Sequence, residues 1–355
     1  MNGNHEKKVS VAIIIPRIDQ LGPVKVIQAL VNSLYEVGDI QAKVFYLDKF
    51  VDPLVKMNVP VGRINKRKFD FGEYDIIHTN GIRPDFFAFL NRKKIRYHIS
   101  TIHNFVFGDL YFTYNRLISW IFGNIWLVLW RRTDKLICVS KTMKSYYEKW
   151  FPSSKLEVIH NGIAESNNLL LPDNDVIEAI ESFRLRGLKV IGSTGILTRR
   201  KGIDQILHLL KEVNEFALVV IGNGKELPVL KRLARKTKIA DRCFFCGFRI
   251  NAVNYFKYFD LFIVPSRSEG FGLVLIEAVQ QKVPVICSDI AVFKELFNDE
   301  EVTFFKTNNL TSLIEAFKLA ILIGHKKADL AYTRYLKNYS TLLMSKNYYD
   351  LYKSV

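Results

Sequence analysis

Two glutamates and two glycines lie close together in the stretch SRSEGFGLVLIEAVQQKVPVICSD, residues 266–289. Seven residues separate Glu269 from Glu277, which places the first in a loop and the second about a turn and a half into a helix that begins near Gly272. A carboxylate on a helix accepts paired hydrogen bonds from a vicinal diol such as a ribose, while Gly270 and Gly272 expose backbone donors. This stretch predicts a site for a sugar. Two glutamates that only cap and solvate a helix are the alternative.

A basic cluster follows Gly195 at the start of another predicted helix. Arg199, Arg200 and Lys201 come directly before Gly202. Backbone N–H groups at a helix N-terminus, the helix dipole and a lysine all attract phosphate. The cluster predicts a phosphate-binding loop, and a solvated basic loop is the alternative.

A second glycine-containing turn occurs in the string IGNGKEL, residues 221–227. Gly222 and Gly224 allow the chain to turn tightly from a strand into the next helix. Glycine is common after a strand, so this string alone is weak evidence for a binding site.

The elements that must position these residues follow from the hydrophobic pattern. Runs rich in valine and isoleucine alternate with amphipathic segments, which is typical of parallel α/β sheets. One series of strands runs from VSVAIII at residues 9–15 to LEVIHNG at 156–162, and a second runs from LKVIGSTG at 188–195 to VTFF at 302–305. Doubly wound sheets bind ligands at the carboxyl ends of their strands, where the motifs above lie.

Length and composition agree with two domains. The 355 residues are 49% hydrophobic and 24% charged, which is close to the globular average and excludes a disordered chain or a small disulfide scaffold. We expect a first domain at residues 1–165, an interdomain linker at 166–186 and a second domain at 187–339.

Charge and cysteine content restrict the partners and the compartment. The net charge of +16 favours polyanionic partners, namely nucleic acid, phosphorylated small molecules or an anionic bilayer. Four dispersed cysteines, Cys138, Cys243, Cys246 and Cys287, favour a reducing compartment. Because the N-terminus is short and polar, we expect no signal peptide, and the apolar stretch at 117–130 is shorter than the roughly 18 residues of a spanning helix. The predicted localisation is cytoplasmic.

These strings together resemble the retaining glycosyltransferases of family 4, which have the GT-B architecture. The resemblance rests on EGFGLVLIEA, KGID, VVIGNGKE and FFCGF, and on the N-terminal strings DIIHTNG, STIHN, ICVS and VIHNGI. The motifs run in the family's order over essentially the whole chain. The resemblance implies an α/β fold of two Rossmann-like, doubly wound parallel-sheet domains facing a central cleft, with a C-terminal helix at about 340–355 packed on the first domain.

The resemblance also assigns roles to residues. It implies that Glu269 contacts the transferred sugar, Glu277 the ribose hydroxyls and Lys201 the diphosphate, and that His103 is the first-domain histidine that reaches the donor sugar. The predicted catalytic residues are His103, Lys201 and Glu269. The predicted donor-binding residues are Gly22, Arg200, Lys201, Gly222, Gly224, Glu269, Gly270, Phe271, Gly272, Leu273 and Glu277.

Three positions depart from the family's pattern. Ile196 stands where an arginine is usual before the lysine, and Arg200 is expected to supply that charge. Only Gly22, followed by Pro23, stands where a Gly-Gly pair is common. Ala164 stands where aspartate is frequent after NGI.

The expected chemistry is the departure of a phosphate from a glycosyl diphosphate. Lys201 and Arg200 would stabilise the negative charge as it builds on the leaving group. The family implies retention by front-face attack, in which the departing phosphate helps to remove the acceptor's proton. No metal and no cofactor is expected, and the acidic pair Asp173 and Asp175 is interpreted as a helix N-cap.

A tryptophan-rich segment leaves two interpretations open. Trp120, Trp126 and Trp130, with Arg131 and Arg132, favour either an amphipathic helix lying on an anionic membrane or a helix buried against the first sheet.

The predicted function is transfer of a hexose or N-acetylhexosamine from a UDP-sugar to a lipid-linked saccharide acceptor. The reaction would belong to surface polysaccharide biosynthesis (O-antigen, capsule or exopolysaccharide), and the enzyme would be a peripheral membrane protein. A GDP-mannose-dependent mannosyltransferase and a GT-B-type sugar-nucleotide epimerase are the alternatives. Nucleic-acid binding is disfavoured because basic and acidic residues are interleaved. A nicotinamide dehydrogenase is disfavoured because PRIDQLGPVK after the first strand lacks a Gly-x-Gly-x-x-Gly turn.

Overall fold

The computed structural model describes residues 8–49, 55–164, 173–250 and 252–355. These residues form two compact units. The first unit comprises the described residues within Met1–Phe107, Leu117–Ala164 and Tyr339–Val355, and the second comprises those within Gly108–Arg116 and Glu165–Asn338.

A parallel sheet forms the centre of the first unit. Its described strands are β1 Val9–Ile15, β2 Ile40–Tyr46, β3 Val61–Arg63, β4 Ile76–Asn80, β5 Tyr97–Ile102, β6 Lys135–Cys138 and β7 Leu156–Val158, in the order β3-β2-β1-β4-β5-β6-β7. Ile13 of β1 pairs with Val44 of β2 on one side and His78 of β4 on the other. The central strands are buried on both faces, which explains why they appear in the sequence as continuous apolar runs.

Among the described residues, five helices connect the strands of this sheet along the chain. They are α1 Gly22–Val37, α2 Ile82–Leu90, α3 Val106–Thr113, α4 Arg116–Arg131 and α5 Lys141–Tyr147, with short 3-10 turns at Phe71–Glu73, Arg92–Lys94 and Ser153–Lys155. Residues from Gly108 onward in α3 group with the second unit.

The second unit repeats the same architecture. Its described strands are β8 Lys189–Thr194, β9 Phe216–Ile221, β10 Cys243–Gly247, β11 Leu261–Val264, β12 Val285–Ser288 and β13 Thr303–Phe305, all parallel, in the order β10-β9-β8-β11-β12-β13. Its helices are α6 Asn174–Leu185, α7 Ile203–Glu212, α8 Leu227–Lys236, α9 Leu273–Gln280, α10 Ala291–Leu296 and α11 Leu310–Asn338, with 3-10 turns at Arg199–Lys201, Ala240–Arg242 and Ala252–Tyr258.

The strand order of each unit reverses direction at one point. In the second unit β8 lies beside β11, and the chain winds outward from this pair in both directions. In doubly wound sheets the ligand site lies outside the carboxyl ends of the strands at such a reversal. The predicted fold class, two Rossmann-like parallel-sheet domains, is confirmed. Part of the range predicted as a linker, 166–186, forms α6 and packs on β8 and β10, while residues 165–172 lie outside the described residues.

The last helix, α12 Thr341–Lys353, belongs to the first unit and packs against α1. The hydroxyl of Tyr352 lies 2.7 Å from Nδ1 of His78, whose Nε2 lies 2.7 Å from the hydroxyl of Thr101. The hydroxyl of Tyr348 also contacts Thr101, at 3.1 Å. Burial, with a smaller contribution from His103, lowers the pKa of His78 to about 3, so His78 is neutral in this polar cluster.

The tryptophan-rich segment forms α4, and its two faces differ. Trp130 is 1% exposed, and the indole N–H groups of Trp126 and Trp130 donate to the carboxylate of Asp85 at 2.8 and 2.9 Å. The opposite face carries apolar side chains in solvent: Leu117, Trp120, Ile121, Phe122, Ile125 and Val128. Each of the two interpretations of this segment therefore describes one face of the helix. Within the described parts of the chain, every helix is too short or too polar to cross a membrane.

Candidate active site

An ion cluster in the second unit lies at the carboxyl ends of β8 and β11, where the strand order reverses. The ammonium of Lys201 donates to one carboxylate oxygen of Glu269 at 2.6 Å, and Arg200 Nη1 donates to the other at 3.0 Å. The hydroxyl of Ser266 donates to Glu269 as well, at 2.7 Å. Although Arg200 and Lys201 are adjacent in the chain, both reach the same carboxylate.

The Glu269 carboxylate is ionised in this environment. Glu269 is only 7% exposed, and burial by itself would raise its pKa. The charges of Lys201 and Arg200 outweigh burial and, with the hydrogen bonds from Lys201 and Ser266, lower the pKa of Glu269 to about 2. At neutral pH the Glu269 carboxylate therefore carries a negative charge between the two cations.

Two glycines shape the turn that presents the cations. Gly202 has φ +68, and a Cβ there would lie 2.1 Å from the carbonyl oxygen of Pro265. Gly195 has φ +144, and a Cβ there would lie 3.3 Å from Cε of Lys201. The turn is thus pressed against the loop after β11, and Gly195 leaves room for the Lys201 side chain.

Gly222 and Gly224 pack against the loop that leads from β8 into this turn. A Cβ on Gly222 would lie 1.9 Å from the carbonyl oxygen of Gly195, and one on Gly224 would lie 2.3 Å from that of Leu197. The amide of Leu197 donates to the carbonyl of Asn223 at 2.9 Å. The structure thus gives these two glycines a packing role between neighbouring loops, and their contact with a donor stays a prediction.

The remaining predicted residues of the stretch lead into α9. Gly272 is the N-cap with φ +91, and a Cβ there would lie 2.4 Å from Cε1 of Phe293. Phe271 is buried, Leu273 is the first residue of the helix, and Glu277 is half-buried one turn further on. Gly270 follows Glu269 directly. The donor contacts predicted for these residues remain predictions.

Sequence reasoning missed several side chains of this cluster. Asp109, in the segment that groups with the second unit, accepts a hydrogen bond from the Ser268 hydroxyl at 3.1 Å and lies 3.9 Å from Nε of Arg200. Burial raises the pKa of Asp109, against the opposing effect of Arg200. Arg267 contacts the turn at Arg199–Lys201. The serines and Arg267 lie inside the stretch already singled out, whereas no motif points to Asp109.

Two of the predicted residues lie in the first unit. His103 directly follows β5, and its Nε2 lies 2.9 Å from Oδ1 of Asn80, the last residue of β4. His103 is half-buried, and its surroundings lower its pKa by burial to about 4, so the ring is neutral at pH 7. Oδ1 is only an acceptor, so Nε2 carries the proton and Nδ1 has the lone pair. Asn80 was not predicted, although DIIHTNG contains it. Gly22 is the first residue of α1, followed by Pro23.

The family follows from comparison with known proteins. Residues 177–336 match the family described as "Glycosyl transferases group 1", and residues 6–166 match "Glycosyltransferase Family 4". The chain is 34% identical over 321 residues to the O-antigen biosynthesis glycosyltransferase WclY of Escherichia coli, which covers 88% of this chain and 89% of WclY. The chain belongs to the group 1 glycosyltransferases, family 4. It is a transferase enzyme.

A second relative and a solved structure are also similar. The lipopolysaccharide core biosynthesis mannosyltransferase LpsB of Rhizobium meliloti is 30% identical over 199 residues, 52% of this chain and 55% of LpsB. The crystal structure of HepE from Anabaena in complex with UDP has a TM-score of 0.78 and 16% identity, and the match covers 98% of this chain and 100% of HepE. The similarity to HepE shows that the two chains share a fold.

Proposed function

We propose that this enzyme transfers a hexose or N-acetylhexosamine from a UDP-sugar to a saccharide acceptor carried on a lipid, in the biosynthesis of a surface polysaccharide. The cluster of Lys201 and Arg200 on Glu269 supports the proposal most directly. It joins two phosphate-binding cations to a carboxylate that accepts hydrogen bonds from sugar hydroxyls. It also lies at the strand reversal, where this class of sheet binds nucleotides.

The two cations act on the leaving group. When the bond between the anomeric carbon and the diphosphate breaks, negative charge builds on the phosphate oxygen, and the ammonium of Lys201 and the guanidinium of Arg200 stabilise it. The ion pairs with Glu269 fix both cations before the donor arrives, so little reorganisation is needed during the reaction. The nucleoside diphosphate leaves, and the anomeric carbon forms its new bond to the acceptor oxygen with retention of configuration, as the family implies.

The acceptor part of the proposal follows from the relatives. WclY is named for O-antigen biosynthesis and LpsB for lipopolysaccharide core biosynthesis. An acceptor carried on a lipid would bring the enzyme to a bilayer surface.

The exposed face of α4 supports contact with an anionic membrane. Leu117 is 66% exposed and Trp120 is 64% exposed, and they extend an apolar strip along the helix together with Phe122 and Ile125. The indole N–H groups on the buried face donate to Asp85, so α4 cannot rotate to bury the apolar strip without breaking these hydrogen bonds. From residue 110 to residue 133 the sequence contains three arginines and no acidic residue. Apolar side chains flanked by cations are typical of helices that lie in the interface of an anionic bilayer.

A GDP-mannose donor is the second candidate. The name of LpsB, a mannosyltransferase, favours it, while the complexes of HepE with UDP and UDP-glucose favour the UDP-sugar. The ion cluster binds the diphosphate that both donors share.

Calorimetric titration with UDP and with GDP tests the proposal. We expect the unsubstituted protein to bind UDP in preference to GDP, and Glu277→Ala to weaken UDP binding about tenfold, since a ribose diol loses a charged acceptor worth roughly 1.5 kcal/mol. Glu181→Ala changes an exposed glutamate of α6 in the same unit and serves as the matched control.

The outcomes separate the candidates. GDP preference would move the assignment to a mannosyltransferase, and binding of neither nucleotide at about 1 mM would overturn the nucleotide-sugar site. Conversion of a UDP-sugar without any acceptor would identify an epimerase instead.

A further inference from the structure

Arg267 lies between the two halves of the ion cluster without touching Glu269 in the described structure. It is two residues before Glu269, and its backbone N–H donates to the carbonyl of Arg200 at 2.7 Å. We propose that Arg267 is a positioning residue that holds the turn carrying Arg200 and Lys201 against the loop carrying Glu269. This inference rests on the proposed function, because the cations that it positions are those assigned to the donor diphosphate.

The guanidinium of Arg267 makes contacts with three separate segments. Nη1 donates to the backbone carbonyl of Arg199 at 2.6 Å, inside the turn itself. Nη1 and Nη2 also donate to the two carboxylate oxygens of Asp204 at 2.9 and 2.7 Å, in the first turn of α7. Nε donates to the side-chain carbonyl of Asn308 at 2.7 Å. The side chain therefore ties the loop after β11 to both ends of the phosphate-binding turn.

Other contacts also connect the loop after β11 with the residues that follow the turn at Arg199–Lys201. The side chain of Gln205 donates to the carbonyl of Pro265 at 2.8 Å and accepts from the backbone N–H of Asn308 at 2.7 Å. The backbone of Gly202 lies so close to Pro265 that a Cβ at position 202 would be 2.1 Å from the Pro265 carbonyl oxygen. Arg267 thus joins the loop to the backbone of the turn, in addition to the bonds that the side chains of Arg200 and Lys201 make with Glu269.

The contacts of Arg267 affect Lys201 because the position of a lysine ammonium depends on its backbone. Lys201 carries a point charge on a flexible four-carbon stem, so the direction of its ammonium depends on where its backbone is fixed. Electrostatic stabilisation of a leaving group requires donors that are already in place. Arg267 fixes the backbone carbonyls of Arg199 and Arg200, and the carbonyl of Arg200 belongs to the peptide group that joins Arg200 to Lys201.

The arginine fork is specific to this role. A lysine at position 267 would keep the positive charge but would not bridge both carboxylate oxygens of Asp204 and reach the Arg199 carbonyl and Asn308 together. Arg267→Lys therefore removes the simultaneous hydrogen bonds to Arg199, Asp204 and Asn308 while leaving the net charge of the site unchanged.

A double-mutant cycle with Lys201→Ala tests the inference, measured as the dissociation constant of whichever nucleotide, UDP or GDP, the unsubstituted protein binds. We expect Arg267→Lys to weaken binding about tenfold in the unsubstituted background and about threefold in the Lys201→Ala background, where only the effect through Arg200 remains, titrated to about 10 mM nucleotide. A side chain that supports only the general fold would weaken binding by the same factor in both backgrounds.

Two further variants serve as a control and as a substitute for Arg267→Lys. Arg186→Lys is the control, since Arg186 binds the carboxylate and the carbonyl of Asp241 elsewhere in the same unit, and it should leave the dissociation constant unchanged. Asp204→Asn removes the charge at the other end of the fork and should reproduce the dependence on Lys201 if Arg267→Lys does not fold. Equal losses in both backgrounds, or no loss in the unsubstituted one, would overturn the inference alone. Absence of nucleotide binding by the unsubstituted protein would overturn the proposed function and this inference with it.

Discussion

The ammonium of Lys201 lies 2.6 Å from a carboxylate oxygen of Glu269, and 68 positions of sequence separate the two residues. The contact forms because β8 and β11 are neighbours in the sheet although they are distant in the chain. It couples the protonation of Glu269 to the stability of the second unit.

The pH dependence of unfolding measures this coupling. The pKa of Glu269 lies at about 2, below the ordinary glutamate value of 4.5, so its contribution to stability is complete above pH 4.5 and is lost as pH falls through about 2. A shift of this size corresponds to about 3 kcal/mol. We expect the loss of stability caused by Glu269→Gln to be about 2 kcal/mol smaller at pH 3 than at pH 7.

Denaturant unfolding followed by circular dichroism is the suitable measurement, because all four tryptophans belong to the first unit and do not report on the second. Glu178→Gln, at an exposed position of α6, should show no such change between the two pH values. A loss for Glu269→Gln that stays constant from pH 7 to pH 3 would contradict the ion pair.

The second prediction concerns the protonation of His103. Burial lowers its pKa to about 4, and its neighbour Asn80 is uncharged. Asn80→Asp places a carboxylate beside the ring and should raise the pKa of His103 above about 6, because a negative charge favours the imidazolium. The measurement is NMR titration of the histidine ring signals, with the His103 signal identified by its loss in His103→Gln.

Asn91→Asp is the control for His103, because Asn91 bonds the carbonyl of Phe87 in the same unit. It should leave the titration of His103 unchanged. Titration of His103 near 6.5 in the unsubstituted protein would contradict a pKa lowered to about 4.

The third prediction concerns the packing of the loop after β9. Gly222→Ala would place a methyl group 1.9 Å from the carbonyl oxygen of Gly195, so the loop from β8 must move. Gly187→Ala also introduces a side chain at positive φ, +75, but nothing lies within 4 Å of it. We expect a cost of about 1 kcal/mol for Gly187→Ala and at least about 3 kcal/mol for Gly222→Ala, from thermal unfolding followed by circular dichroism. Similar costs for the two variants would refute the close approach.

The fourth prediction concerns the exposed face of α4. Replacing both Leu117 and Trp120 by serine deletes two exposed apolar side chains. It should reduce co-sedimentation with phosphatidylglycerol vesicles at least about fivefold. The protein should bind phosphatidylcholine vesicles weakly before and after the change, because the flanking arginines gain little from a neutral surface. Leu185→Ser is the control, since Leu185 is 90% exposed on α6 and lies outside the strip. Equal binding by the serine variant and the unsubstituted protein would argue against membrane contact through this helix.

Much of the architecture could be predicted because buried parallel strands are continuous apolar runs. VSVAIII and LKVIGSTG mark β1 and β8, and the glycine-rich strings follow strands as parallel sheets require. The short edge strand β3, residues Val61–Arg63, is mostly exposed and has no apolar run, so the same reasoning missed it.

The site was predictable in its residue types and less so in its contacts. Glu269 and Lys201 were identified by motif, but which cations reach the carboxylate depends on the pairing of β8 with β11. Asp109 has no motif, and its contact with Ser268 spans 159 positions of sequence. The division of α4 into a buried and an exposed face also depends on a distant residue, Asp85, which accepts both indole N–H groups.

The bond between His78 and Tyr352 spans 274 positions of sequence, and the whole second unit lies within that interval. During synthesis at roughly 5–20 residues per second, His78 leaves the ribosome about 14 to 55 s before its partner. The second unit has all of its strands within this time and can complete its fold first, while the first unit waits for its final helix. The polar cluster of His78, Thr101 and Tyr352 can therefore form only after the second unit has been synthesised.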